Sequence, residues 1–223
     1  MLLLIIAALV WIGIHLGIAG TRIRDRFVAR IGEVGFQGAF SIASLVSISA
    51  LVMAFKGAPA IPLWSVSGGA RVLLAAIMLV AFVFLVGSVT VRNPTAAGQP
   101  IGIEPKGLVR VTRHPMLWAF ALWAAVHVIG NGDAAALVFF GAFLVTALAG
   151  MPSIDAKLAR RNPEGFAVLA SRTSVIPFAA IAAGRNRFVV GEIGALVLVP
   201  AVLAWGLVLY FHPAIFGVSA LRG

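Results

Sequence analysis

The apolar positions of this chain fall in long runs, separated by short stretches that are basic or rich in proline and glycine. A membrane-spanning helix needs about 20 mostly apolar residues. Six runs come near that length: residues 1–20, 37–55, 70–91, 115–131, 134–150 and 190–211. The fourth and fifth are short and are joined by Gly130-Asn131-Gly132-Asp133, a tight-turn composition that predicts a helical hairpin. Asp133 is placed to cap the fifth helix. The connections at 56–69 and 92–114 carry the proline and glycine of loops. No internal repeat or low-complexity tract interrupts the pattern. It predicts an all-α fold, a polytopic membrane bundle of about six transmembrane helices, forming one domain over 1–223. No basic residue precedes the first run and no cleavage site of small residues is convincing, so it reads as a helix of the bundle rather than a signal peptide.

Composition agrees with that pattern. Hydrophobic residues make up 61% of the 223, and charged residues 11%, with a mean hydropathy of +1.08. Soluble domains carry about 25% charged residues, so this chain lacks the polar surface to sit in water. There is no cysteine, which excludes disulfides, thiolate metal sites and cysteine nucleophiles.

The formal net charge of +10 raises the question of nucleic acid. Its distribution points instead to lipid headgroups, because the basic residues cluster between the apolar runs. Arg22, Arg24, Arg26 and Arg30 follow the first run; Arg92, Lys106, Arg110 and Arg113 precede the fourth. Lys157, Arg160, Arg161, Arg172, Arg185 and Arg187 lie between the fifth and sixth. Together these are 14 of the 17 basic residues. By the positive-inside rule, 20–36, 92–114 and 151–189 are cytoplasmic and both termini lie outside, in a multi-pass membrane protein. Within the last basic stretch, Phe166, Leu169 and Ala170 recur at helical spacing between Pro163 and Arg172, predicting a cytoplasmic interfacial helix. The apolar stretch after it, "VIPFAAIAAG", is too short to span alone and is expected to dip into the interface or cap the bundle.

Two histidines fall inside spans. His15 precedes Arg22 by seven residues, and His127 lies about 12 residues into the fourth run, roughly 18 Å of rise. Ionisable groups at such depth are expensive and mark function; the plainer alternative is a neutral imidazole bonded to a neighbouring carbonyl. Zinc sites want three or four protein ligands, and neither cysteine nor a carboxylate stands at that depth. Haem needs one or two axial ligands, an apolar slot and cations for its propionates. His15 and His127 would be the ligands, with Arg22, Arg24, Arg110 and Arg113 near the rim.

His114, in "TRHP", is a different case. Pro115 would open the fourth helix, with Thr112 or His114 as its cap. The functional alternative is an anion site in which Arg110, Arg113, His114 and the helix start converge on a carboxylate or phosphate. His212, near Trp205 and Tyr210, reads as interfacial.

Three segments carry a resemblance: "IHLGIAGTRIRDRFVARIGEVGFQGAFSIASLVSISALVMAF", "RVTRHPMLWAFALWAAVHVIGNGDAAALVFFGAF" and "RTSVIPFAAIAAGR". Together they resemble the NnrU family of bacterial membrane proteins, over the first helix through about residue 187. That family is associated with nitrite and nitric oxide reduction and is related to the zeta-carotene isomerases, which bind haem b and convert a 15-cis double bond to trans. The resemblance implies haem b held by His15 and His127, with Arg113 and His114 at the cofactor's rim. It further implies a lipophilic polyene substrate or a role in nitrogen-oxide respiration. In the plant enzymes a cysteine stands one turn before the second histidine; here that position is Ala124, so a mechanism using that thiol is not open to this chain. A second resemblance, of "GLVRVTRHPM" and "PEGFAVLASRTSVIPF" with Glu164 and Arg172, is to the isoprenylcysteine and phospholipid methyltransferases. It implies S-adenosylmethionine at the cytoplasmic face.

Overall fold

A computed structural model describes residues 1–90, 92–95 and 104–221 of the chain. Part of the 92–114 connection and Arg222 therefore lie outside the described residues. The described chain is helical, with one isolated β-bridge between Pro62 and Asp133. Its helices are α1 (Leu2–Ile12), continued by a π-helical segment Gly13–Ile18, α2 (Arg22–Lys56), α3 (Gly68–Thr90), α4 (Leu108–Val111) and α5 (Pro115–Asn131). They are followed by α6 (Ala134–Arg161), α7 (Pro163–Arg172), α8 (Ala179–Ala182), a 3-10 turn Val190–Glu192 and α9 (Gly194–Phe216). Four of them, α2, α3, α6 and α9, are long and apolar enough to cross a membrane; Leu2–Ile18 and α5 are shorter apolar helices. Each of the six expected apolar runs is helical, in a multi-pass membrane bundle.

The six pack in a row. α2 lies on α1, α1 on α6, α6 on α5, α5 on α3, and α3 on α9. Close contact is made by small side chains: Ala7, Ala8, Ala54, Ala124, Ala135, Ala136 and Ala142 are buried against Leu4, Leu51, Phe139 and Phe140. In lipid, where no hydrophobic drive pulls helices together, small residues let backbones approach and give dispersion contact its reach.

The connections sort onto two faces. On one, the loop after α2 lies on the α5–α6 turn. Leu63 and Trp64 donate their backbone N–H to the Gly132 carbonyl (2.8 and 3.0 Å), Ala134 N–H donates to Ile61 (2.9 Å), and the Trp64 indole donates to Ile129 (2.8 Å). Gly132 is at φ +69°, a left-handed residue ending α5, and a Cβ there would collide with the Trp64 carbonyl oxygen. Asp133 accepts from Ala136 N–H at 2.8 Å and so caps α6, as its position predicts. The opposite face gathers the arginine clusters and the α7–α8 region.

Two basic stretches differ from their expected form. Residues 22–36 are helix: α2 begins at Arg22, capped by Thr21, and breaks at Gly32 (φ +75°) before its long apolar part. The arginines of that stretch hide its helical character because their charge dominates the pattern. α6 likewise runs through Pro152 to Arg161, about three turns past the apolar run 134–150, because Asn162 and Pro163 are the first strong stop. α7 spans Pro163–Arg172 as expected and is capped by Asn162, which accepts from Gly165 N–H. The apolar stretch beyond it caps the bundle: Phe178 N–H donates to Val111 at 2.9 Å, and α8 packs on α4.

Candidate functional site: two histidines across an aromatic layer

His15 lies in the π-helical segment, three residues before its end; His127 lies four residues before the end of α5. Both helices pack on α6. α1 runs toward the arginine-rich face and α5 runs away from it. Helical side chains lean toward the N-terminus of their own helix, so in these opposed helices the two imidazoles lean toward one shared layer.

That layer is aromatic. Trp11 precedes His15 by four residues, with ring centroids 3.9 Å apart. Trp11 meets Phe143 at 4.9 Å, and Phe143 meets Trp123 at 5.3 Å. Trp123 is 5.3 Å from His127, which also stacks on Phe140 at 4.7 Å. The histidines therefore do not touch. They stand at opposite ends of a chain of three rings, Trp11, Phe143 and Trp123.

The hydrogen bonds fix the tautomers. His15 Nδ1 is 2.9 Å from the Trp11 carbonyl oxygen, and His127 Nδ1 is 2.8 Å from that of Trp123. A carbonyl oxygen can only accept, so Nδ1 carries the proton in both rings. Each Nε2 then keeps its lone pair, and neither has a hydrogen-bond partner among the described residues. A histidine that ligates a metal holds its second nitrogen in this way, on a carbonyl or carboxylate that sets ring orientation. The indole N–H of Trp11, buried in the same layer, has no acceptor among the described residues. No group of three or more His, Asp or Glu among the described residues could hold a metal ion.

The rim residues behave differently. His114 is the residue before α5, yet neither it nor Thr112 caps the helix with its side chain. Pro115, at the first helical position, has no N–H to cap there. Thr112 Oγ1 donates to the Val175 and Ser174 carbonyls, while His114 Nε2 reaches Asp155 Oδ1 at 2.9 Å. Arg113 clasps the same carboxylate, Nε at 3.0 Å from both oxygens and Nη2 at 2.5 Å. Arg113 and His114 thus converge on a carboxylate, the protein's own Asp155. Arg110 does not join it: its guanidinium takes Glu192 through Nε (2.8 Å) and Nη2 (2.9 Å) and Asn186 through Nη1 (3.0 Å). Arg24 is paired with Glu33. Three of the four arginines expected for propionates therefore already hold carboxylates; Arg22 stays exposed. His212 is bonded to the Val218 carbonyl at 2.7 Å, beside exposed Tyr210.

A family match covers almost the whole chain: residues 3–220 fit the family described as NnrU protein. The chain belongs to the NnrU family. Among curated relatives, the 15-cis-zeta-carotene isomerase, chloroplastic, of Arabidopsis thaliana is 30% identical over 218 residues, covering 92% of this chain and 58% of that protein. The protein of the same name from Zea mays is 33% identical over 129 residues, 56% of this chain and 35% of its own length. This NnrU chain thus spans about a third to three-fifths of the curated relatives it matches. No solved structure matches it.

Sequence reasoning missed Asp155, Glu192 and the aromatic layer of this NnrU protein. One signal was present: "WIGIH" (Trp11–His15) and "WAAVH" (Trp123–His127) share a Trp-x-x-x-His spacing, one helical turn in each. Asp155 left a fainter trace, as the single acidic residue of α6.

Proposed function

We propose that this NnrU-family protein binds haem b in a bacterial cytoplasmic membrane through His127, with His15 as second ligand or as a neighbour across the aromatic layer, and isomerises a cis double bond of a long polyene. The observation that carries the reading is the matched pair of tautomers: two membrane-embedded imidazoles, each fixed through Nδ1 on the carbonyl of a tryptophan one turn back, each with an unbonded Nε2. A neutral imidazole is a standard axial ligand. When bound, the haem would supply an iron centre able to draw electron density from a double bond and lower its barrier to rotation.

The chain's own residues would do the rest. Trp11, Phe143, Trp123 and Phe140 offer flat apolar faces against which a conjugated chain can lie, and they exclude water. Ala124 is wholly buried and apolar beside His127, so no thiol takes part. The printed name of the plant relatives supplies the substrate class.

The test is a spectrum followed by a substrate. Protein purified from haem-replete cells should show a Soret band, and a 15-cis polyene should be converted to its trans form under reducing conditions. A Soret band without conversion would leave a haem-bearing accessory factor of nitrite and nitric oxide reduction. Colourless protein would sink the haem reading, and the methyltransferase resemblance would then be tested first.

A further inference from the structure

The arginine-rich face carries a cleft of about 340 Å³, distinct from the histidine layer. Its charged lining is Arg110, Arg172, Arg185 and Arg187 against Glu104, with Asn186 and the Gly184 turn closing it. We propose that this cleft binds a phosphate group.

Two of the arginines are built into the wall. Arg110 is held by Glu192 and Asn186, as described above. Arg185 donates through Nη1 to the carbonyls of Ala170 (2.8 Å), Ser171 (2.9 Å) and Thr173 (3.2 Å), which anchors it to the end of α7. The other two are uncommitted: the guanidinium groups of Arg172 and Arg187 form no hydrogen bond or ion pair among the described residues. Two buried guanidinium groups elsewhere are matched with carboxylates, Arg24 with Glu33 and Arg113 with Asp155. Here four guanidinium groups face Glu104 and Glu192, leaving two positive charges uncompensated. Arginine forks match phosphate geometry bidentately, so the two free guanidinium groups suit the anionic oxygens of one phosphate.

The surroundings suggest where such a phosphate would come from. Phe178 and Phe188 pair at 5.8 Å and are half exposed, and Val190 beside them is 67% exposed. Exposed apolar rings next to a basic cleft are what a membrane interface accommodates, at the height of phospholipid headgroups. A free phosphate presents the same chemistry.

The experiment uses the full chain in neutral detergent, with short-chain phosphatidylglycerol, the matching diacylglycerol and inorganic phosphate as probes, followed by calorimetry. The wild type should bind phosphatidylglycerol and not diacylglycerol. The double variant Arg172→Ala/Arg187→Ala should weaken that binding roughly a hundredfold, about tenfold per lost charge-assisted contact. Neither side chain has a partner to lose, and helix content by circular dichroism checks the fold. Displacement of the lipid by inorganic phosphate identifies a headgroup site; phosphate binding without lipid binding identifies a free-phosphate site. Unchanged binding in the double variant, no binding to the wild type, or equal weakening by Arg160→Ala outside the cleft would overturn the proposal.

Discussion

Asp155 Oδ1 accepts His114 Nε2 at 2.9 Å, while the same carboxylate holds Arg113 through three contacts. The three side chains bind the start of α5 to α6. His114 is fully enclosed, and Arg113 and Asp155 are nearly so, at 12% and 13% side-chain exposure. Removing one member of such a network leaves its partners desolvated and unpaired. Asp155→Ala is expected to cost about 3 kcal/mol, read as a lowered midpoint of thermal unfolding in detergent. His114→Ala should cost less, because Arg113 still satisfies the carboxylate. Equal, small losses from both would show that the network is not what joins the helices.

The two-faced arrangement gives a direct topology test. The chain has no cysteine, so single cysteines can be introduced without background. Ala60→Cys and Asn131→Cys lie on the face where the α2–α3 loop meets the α5–α6 turn; Ser171→Cys lies at the end of α7 on the arginine-rich face. By the positive-inside rule, a membrane-impermeant thiol reagent added to intact cells should label the first two and spare the third. The reverse pattern would invert the orientation, and split labelling of 60 and 131 would contradict the fold.

The Arg110–Glu192 pair makes stability depend on pH in one direction. The Arg110 guanidinium, helped by the Gly107 N–H and opposed by burial, holds the Glu192 carboxyl below the ordinary glutamate value. A carboxyl depressed in the folded state contributes its full stability above its unfolded pKa, about 4.3. That contribution is lost as pH falls through the lower folded value. Thermal midpoints should therefore drop between pH 5 and pH 3, each an approximate bound set by that unfolded value. Glu192→Gln should already be less stable at neutral pH and show a shallower acid slope. A slope identical to wild type would remove Glu192 from the account.

Much of the fold was legible in the sequence, because a membrane imposes its rule on every spanning segment: long apolar runs, basic residues kept to one side. All six spans, the Gly132 turn, the Asp133 cap and the helix Pro163–Arg172 follow from that rule and from turn and capping chemistry. The basic extensions of α2 and α6 were hidden because charge reads as loop, whereas backbone hydrogen bonding continues regardless of side-chain charge until Gly32 or Asn162 interrupts it. The histidines were visible as anomalies in apolar runs. Their setting was less visible, since an aromatic residue in a greasy helix carries no mark of what it touches. Asp155 was hidden for a related reason: it lies 41 residues from His114, and only packing of α5 on α6 reveals its role.

The histidine pair yields the most discriminating prediction. Both imidazoles hold Nδ1 on a tryptophan carbonyl, which leaves Nε2 open in the neutral ring, yet their surroundings differ. His127 stacks on Phe140 and stands in rigid α5; His15 sits in a π-helical segment, a geometry found most often where a helix has been adapted for function. His127→Ala should remove most bound haem, because its ring is held in place on two sides, by the Trp123 carbonyl and the Phe140 ring. His15→Ala should remove haem as well if both nitrogens bind iron, and should leave the Soret band present but shifted in spin state if His15 is a neighbour. Trp123→Leu tests the tautomer argument separately, because it keeps the backbone carbonyl and removes only the ring, so haem should remain while any polyene conversion falls. In each case circular dichroism and membrane insertion should match the wild type. If both alanine variants keep an unchanged Soret band, the imidazoles are only satisfied side chains in a packed bundle, and the haem ligands must be sought elsewhere in the chain.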